Sequence, residues 1–441
     1  MIKDFKGKVA VITGAGSGIG LAMALAFAKR GMKIFIADIN EKALKRAARK
    51  INKIGAEVSF LSVDVSNPKQ MENLANKAFE RFGSVNILCN NAGVGGSGPA
   101  ELLGLGDWNW TLGINLFGVI HGIKFFLKRM LDKKEPCHIV NTASVAGHLA
   151  TYDNGPYAAS KFAVVAISEY LRQQYFNTNI GVSVLCPGFI KTKIIENSIA
   201  MEESIPDHYQ MPLDDEETQT LFANFTKVLK LGMDPAIVAE MVIYAIENDI
   251  FYVMTHHQFN EYIKARFERI NEDALKIKEK FYKPRGVIEE RIFQYNSDSL
   301  AFSISYPDYL IELLPLPNTT QVFLATENYY KDLQVHVTEI DSNIHLEDIG
   351  KYLVTILKEV GNEISILSEK LITLEDGTNA CETEIEFNSL GHVKVLSHHI
   401  SVLKDNTIIR VSVYTPVGLF TEDLRRIGRS IKIVVPLAEV M

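Results

Sequence analysis

Apolar residues recur in two alternating rhythms over the first 255 positions of this chain. Short runs rich in valine and isoleucine stand at Val9–Thr13, Lys33–Asp38, Val58–Val63, Val85–Cys89, His138–Thr142 and Val182–Cys186. Each is bounded by polar residues or glycine, the pattern of a buried strand. Between them, Leu21–Arg30, Glu41–Ile54 and Met71–Phe82 space their apolar residues three and four apart, which gathers them on one helix face. A helix at Pro235–Asn248 leads to a further strand, Phe251–Thr255. Strands that alternate with helices imply right-handed crossovers and helices on both faces of the sheet. The expected fold of this part is α/β, with a doubly wound, mostly parallel sheet.

The rhythm changes near residue 284. Gln258–Tyr282 is a highly charged helical stretch, ended by Lys283–Pro284–Arg285–Gly286. Beyond it, Leu300–Ser305, Gln321–Ala325, Gln334–Ile340, Ile364–Leu374, Ala380–Phe387, Val393–Leu403 and Ile408–Tyr414 read as strands. Asp376–Gly377 and Asp405–Asn406 supply hairpin turn chemistry between them. Two helices interrupt the run, around Leu346–Val360 and Phe420–Arg429. Hairpins with few helices predict a smaller α+β domain with an antiparallel sheet. The expected organisation is a domain over 1–257, a charged helical linker over 258–286 and the α+β domain over 287–441.

Composition narrows the function classes. A chain of 441 residues exceeds the usual limit for one core, in keeping with two domains. Its net charge of −7 argues against nucleic acid as a partner, because phosphate binding wants a basic face. Cys89, Cys137, Cys186 and Cys381 are far apart and form no ligand pair, which suits reduced thiols in the cytoplasm rather than disulfides or a metal site. Lys8–Thr13 already reads as a strand, so no signal peptide is expected. No apolar run is expected to be long enough to cross a bilayer.

The chemistry concentrates in the first part. Thr13–Gly14–Ala15–Gly16–Ser17–Gly18–Ile19–Gly20 follows the first strand and opens the first helix. Glycines there allow a tight turn and a close approach to a pyrophosphate seated at the helix N-terminus, the Rossmann arrangement. A glycine-rich turn that only packs a helix on a sheet has the same local sequence. Asp38 ends the second strand 20 residues after Gly18, where its carboxylate would accept a ribose 2′-hydroxyl and repel a 2′-phosphate. Neither Ile39 nor the Ala15–Ser17 loop offers a cation to offset that repulsion, so NAD is expected in preference to NADP.

Further along, Asn90–Asn91–Ala92–Gly93 ends the fourth strand, Asn115 lies on a helix, and Ser144 follows the fifth strand. Tyr157 comes 13 residues after Ser144 and Lys161 four after that; Pro187–Gly188 ends the sixth strand, with Thr192 behind it. In this order and spacing the set resembles the short-chain dehydrogenase/reductase family, over about residues 5–275. Hydride transfer to a ketone leaves an alkoxide that needs a proton. A phenol supplies one once its pKa falls toward the operating pH, and Lys161, one helical turn from Tyr157, is placed to favour the phenolate. Ser144 would donate to the substrate oxygen. The resemblance implies that Asn115 holds a water linking Lys161 to solvent. It further implies that Gly14, Ser17, Gly18, Ile19, Gly20, Asp38, Asp64, Val65, Asn90, Asn91, Ala92, Gly93, Pro187 and Gly188 line the cofactor. Asp64 would touch adenine, Lys161 the nicotinamide ribose, and Ile190 and Thr192 the carboxamide.

A long insertion runs from Thr192 to about Leu231, where the resemblance implies a substrate lid. Met201, Tyr209, Met211, Leu213, Phe222 and Phe225 mix there with the acids Glu202, Glu203, Asp207 and Asp214–Glu217. These residues read either as lid packing with a solvated outer face, or as an apolar pocket with a negative rim. The second reading favours a neutral, lipophilic secondary alcohol or ketone. The pairs His256–His257 and His398–His399 are expected at the surface. Trp108–Met130 and the helix after Tyr157 are rich in apolar and small residues, and the resemblance implies a homodimer or homotetramer built on them. In the last part, the run Leu300–Leu314, the Gly350 helix and the closing Arg425–Ile433 resemble, in pattern rather than motif and over about residues 290–435, the PsbP-like α/β/α sandwich family, known mostly as binding or assembly modules, which implies an unknown partner. Three functions remain open at this point: an active NAD-dependent oxidoreductase, an NAD(H)-binding sensor or scaffold acting through the C-terminal domain, and a structural adaptor.

Overall fold

The computed structural model describes residues 2–96, 98–150, 154–202, 205, 207, 216–281, 290–296, 301–307, 310–313, 321–327, 331–339, 344–358, 361–389, 394–404, 407–416, 427, 429 and 432–434. The chain divides into two compact units, Met1–Lys278 and Glu279–Met441.

In the first unit, β1 (Val9–Thr13), β2 (Lys33–Asp38), β3 (Val58–Ser62), β4 (Ile87–Asn90), β5 (Cys137–Thr142), β6 (Ile180–Cys186) and β7 (Tyr252–Met254) form one sheet in the order β3-β2-β1-β4-β5-β6-β7. Every neighbouring pair in it is parallel. The doubly wound α/β expectation holds. The helices are α1 (Gly18–Lys29), α2 (Glu41–Asn52), α3 (Pro68–Phe82), α4 (Leu105–Leu112), α5 (Gly118–Asp132), α6 (Gly155–Gln174), α7 (Ile194–Glu202), α8 (Glu216–Lys230), α9 (Pro235–Asn248) and α10 (Phe259–Phe281). A π-helical turn, Gly113–Phe117, joins α4 to α5.

Local sequence explains several of the helix ends. The Asn40 side chain accepts from Ala43 N at the start of α2, and Asn67 accepts from Lys69 N and Gln70 N at the start of α3. Pro68 fits the first turn of α3, and Gly83 ends it with φ 76°, a conformation glycine adopts without strain. Alternation along β1 sends Val9 and Val11 to one core and Ala10 and Ile12 to the other. The first core lies under α3, α5 and α6, the second under α1, α2 and α9. The sheet is therefore buried on both faces, which is why its strands read as continuous apolar runs. The helical run Leu105–Asp132 is long and apolar enough to cross a membrane by length and composition, which overturns the expectation that no run has that length. Its Val119, Phe126, Leu127 and Met130 are buried in the first core.

In the second unit, β10 (Ile311–Leu313), β11 (Gln321–Glu327), β12 (Lys331–Glu339), β13 (Gly361–Thr373), β14 (Asn379–Ser389), β15 (Lys394–Lys404) and β16 (Thr407–Pro416) form an antiparallel sheet in the order β10-β11-β12-β16-β15-β14-β13. A second sheet has the order β17-β9-β8, from β8 (Glu290–Asn296), β9 (Ala301–Pro307) and β17 (Lys432–Val434). At the β13–β14 turn Gly377 has φ 86° and Thr378 N donates to Asp376 Oδ1, as the Asp-Gly pair predicts. The expected turn Asp405–Asn406 lies outside the described residues, as does most of the expected helix Phe420–Arg429.

One face of the large sheet packs on α11 (Ile349–Leu357) through Ile349, Leu353 and Leu357. The other packs on Phe302, Ile304 and Tyr306 of β9 and on Ile427. This double cover overturns the expected exposure of His398 and His399, which are fully buried. Adjacent strand residues point to opposite faces, and here neither face meets water. His398 Nε2 lies 2.9 Å from Glu382 Oε1, and His399 lies 2.8 Å from Ser412 Oγ on the opposite side.

Candidate active site

The residues singled out in the first unit collect along the edge where the parallel strands end, beside the gap between β1 and β4 where strand order reverses. Ligands of open α/β sheets bind at such a switch point. Gly14 and Gly18 have φ of 64° and 53°. A Cβ on Gly14 would stand 2.7 Å from the Ala92 backbone, one on Gly16 2.8 Å from Asp38 Oδ2, and one on Gly20 2.3 Å from Gly14 O. Only a glycine loop fits this space. Ser17 makes no side-chain cap, so the first amides of α1 are left for whatever the loop holds. Asp38 lies at the end of β2 with Oδ2 accepting from Gly16 N at 2.9 Å and Oδ1 from Asn40 N at 2.9 Å.

Thr13 and Asn91 join the loop to β4. Thr13 Oγ1 accepts from Asn91 N and Ala92 N, while Asn91 Nδ2 donates to Thr13 O at 3.0 Å. Thr13 was missed in the sequence, although its signal was there: a hydroxyl at the last strand position before the glycines. Asp64 follows β3 and accepts from Ser66 N and Oγ, and Val65 O lies 2.8 Å from His121 Nδ1.

The three residues expected to handle the proton converge. Ser144 hydrogen-bonds the Tyr157 phenol and also lies 3.3 Å from Pro187 O. Lys161 Nζ sits 5.5 Å from the centre of the Tyr157 ring and donates to Thr142 O at 3.0 Å. Gly93 faces both Asn115 and Lys161, where a Cβ would come within 3.1 Å of Asn115 Oδ1 and 3.5 Å of Lys161 Nζ. The Asn115 amide lies in the π-helical turn, accepts from Val94 N at 2.8 Å and donates to Val94 O and Ser160 Oγ. It therefore positions backbone in addition to any water it holds.

Burial pushes the Tyr157 phenol above its ordinary pKa, and the Ser144 hydrogen bond pulls it back only in part. A phenol already lowered toward neutrality is thus not what this arrangement produces. Burial lowers Lys161 to about 8, opposed by the nearby Cys186. Cys89, one of the expected reduced thiols, is buried, and burial pushes its pKa up.

Pro187 O accepts from Val145 N at 2.9 Å, and Gly188 N donates to Thr255 Oγ1 at 3.0 Å. Ile190 is buried and bridges to Met233. Thr192 stands against Gly18, its Cγ2 3.1 Å from the position of a Cβ there. Buried Ser198 on α7 accepts from Gly95 N at 2.8 Å, a link between the post-β4 loop and the insertion that no local motif announces. Tyr209, Met211 and Leu213 lie outside the described residues, as do the side chains of Phe222 and Phe225. Met201 packs on the first core.

The family model described as short chain dehydrogenase matches residues 8–203. A dehydrogenase/reductase of CLA biosynthesis from Lactiplantibacillus plantarum is 36% identical over 279 residues, covering 62% of this chain and 96% of that protein. The chain belongs to the short-chain dehydrogenase/reductase family. A C alpha-dehydrogenase from Sphingobium sp. is 31% identical over 61% of this short-chain dehydrogenase and 87% of its own length. A solved short chain dehydrogenase/reductase from Burkholderia phymatum, in complex with NAD, is 37% identical with a TM-score of 0.56, covering 65% of this chain and all of that one. This short-chain dehydrogenase is accordingly an oxidoreductase that acts on CH–OH groups of small molecules with a nicotinamide cofactor.

Proposed function

We propose that the first unit moves a hydride between NAD and a neutral, lipophilic secondary alcohol or ketone, with Tyr157 as general acid and base. The observation that carries this reading is the convergence of Ser144, Tyr157 and Lys161 beside the glycine loop. The residues present fit the dinucleotide. The loop has no room for side chains, and the uncapped α1 N-terminus favours a pyrophosphate. Asp38 stands where a ribose hydroxyl would be read, and the NAD bound by the Burkholderia phymatum relative supports the same choice. When bound, the nicotinamide supplies or takes the hydride.

The rest is done by side chains of this chain. In reduction, the Tyr157 hydroxyl passes its proton to the alkoxide oxygen as that oxygen gains charge, and Ser144 donates a hydrogen bond to the same atom. Lys161, held by Thr142 O, favours the phenolate that remains. Thr192 and Ile190, fixed against Gly18 and Met233, orient the nicotinamide end. Ile195, beside Gly95 and Ser198, gives the substrate side an apolar wall. Buried free thiols at all four cysteines suit the cytoplasm. Phe117 and Tyr170 remain exposed near α5 and on α6, which supports pairing of copies through those helices into a homodimer or homotetramer. The second unit would serve to bind a partner.

The test is NADH absorbance over a panel of secondary alcohols and ketones of rising apolar size. Turnover should rise with that size, and Tyr157→Phe should lower it by ~100-fold or more while NAD still binds. Wild-type turnover in Tyr157→Phe would remove Tyr157 from the proton step.

A further inference from the structure

On the α11-facing side of the large sheet in the second unit, strand register lines up polar residues in the middle of an apolar layer. Ser401 on β15 lies directly opposite Arg410 on β16, Arg410 opposite His336 on β12, and His336 opposite Gln321 on β11. Opposed residues of antiparallel strands bring their Cβ atoms within roughly 5 Å, so these side chains share one patch. His399 and Ser412 form the adjoining row on the same face.

Arg410 is only 8% exposed, makes no ion pair among the described residues, and leaves its buried Nε without a hydrogen-bond partner. Ser401 is fully buried and its Oγ is likewise unpartnered. Guanidinium does not shed its proton in proteins, and a buried charge is retained where something compensates it. Among the described strand residues of this face, the carboxylates stand off. Asp332 is four residues from His336 along β12, roughly 13 Å, and Glu369 is three strands from β16, roughly 14 Å. Glu369 is also committed to Gly350 N on α11. The two imidazoles do not compete for an anion's role. His399 lies between Ser412 Oγ and Ser397 Oγ, and burial together with the Arg410 charge lowers both His399 and His336, the latter to about 4. The patch thus carries one positive charge and an unpartnered hydroxyl.

We infer that this patch binds a compact oxyanion, a carboxylate or a phosphoryl group, through the Arg410 guanidinium and the Ser401 hydroxyl. Both groups donate hydrogen bonds, and charge-assisted bonds to a guanidinium are the stronger kind. The neutral imidazoles add no charge of their own.

The test is calorimetric titration of the full-length protein with sodium phosphate and, separately, sodium acetate, at ionic strength held constant with chloride. Saturable binding of at least one is expected; tighter phosphate or tighter acetate binding identifies which oxyanion geometry the patch takes. Arg410→Gln should weaken that binding by ~10-fold or more, and Ser401→Ala by a smaller factor, roughly 3-fold or more. Ser401→Ala removes a buried hydroxyl that has no partner, so it reads binding even if Arg410→Gln fails to fold. An anion held at the glycine loop of the first unit would survive both substitutions. Absence of saturable heat with either salt, or affinity unchanged in the folded variants, overturns the assignment.

Discussion

Asp38 has two duties that substitution can separate. Its carboxylate accepts from the amides of Gly16 and Asn40, which shapes the turn after β2, and its negative charge stands where a 2′-phosphate would lie. Like charges about 4 Å apart in a partly buried site cost more than the ~1.4 kcal/mol that a factor of ten represents. Asp38→Asn keeps an acceptor for the turn and removes the charge. The ratio of kcat/KM for NAD over NADP should therefore fall by ~10-fold or more in Asp38→Asn, with NAD turnover largely kept. Asp38→Ala should show the same fall in ratio together with weaker binding of both cofactors. Equal use of NAD and NADP by the unaltered protein would refute the charge argument. This residue was legible from sequence because its position relative to the glycines is set by one strand, one helix and a second strand. Ser198 was not, since what gives it its role is Gly95 N on another element, and the burial of Arg410 shows only once the strands of the large sheet are in register.

At the scale of elements, β5 and β6 are locked by His138, whose Nε2 lies 2.9 Å from Ser183 Oγ in the core of the first unit. Burial pushes its pKa down to about 3. In an unfolded chain a histidine titrates near ~6.5, so between these values the unfolded state binds a proton that the native state refuses. Stability from this group is complete above about 6.5 and declines as pH falls toward 3. Between pH 7 and pH 5 the loss should be about 2 kcal/mol, and His138→Gln should lose correspondingly less. Urea unfolding followed by tryptophan fluorescence reads this unit selectively, because both tryptophans, Trp108 and Trp110, lie in it. Identical pH dependence of the two proteins would mean that His138 does not couple folding to protons. Elements were legible where they are long and buried: β1, β2 and α9 lie where their periodicity puts them. β8, β10 and β17 escaped the reading, since short strands at or near sheet edges carry little alternation. His398 and His399 were misjudged because sequence reveals that neighbours on a strand face opposite ways, and not that both ways are covered.

For the whole molecule, the question is whether the hydride chemistry needs both units. All the residues assigned to it, from Gly14 to Thr192, lie within Met1–Lys278, and so do both cores that bury the parallel sheet. A chain of about 280 residues can bury some three-quarters of the surface it exposes when unfolded, which is enough for an independent domain. The second unit has its own cores, built on β9, the large sheet and α11. Each unit thus has the means to fold alone. A chain cut after Lys283 should therefore stay folded, bind NAD and keep most of the full-length turnover on small alcohols and ketones. Tryptophan fluorescence and NADH absorbance, measured on both proteins with the same substrate, decide the matter, and light scattering shows whether assembly has changed. If the shortened protein is folded and binds NAD but has lost turnover, the second unit contributes to catalysis. If turnover persists while the oligomer changes, that unit governs assembly. Turnover and assembly that both persist leave it free to bind a partner, in line with an Arg410 charge that is buried, unpaired among the described residues and without a part in the hydride step.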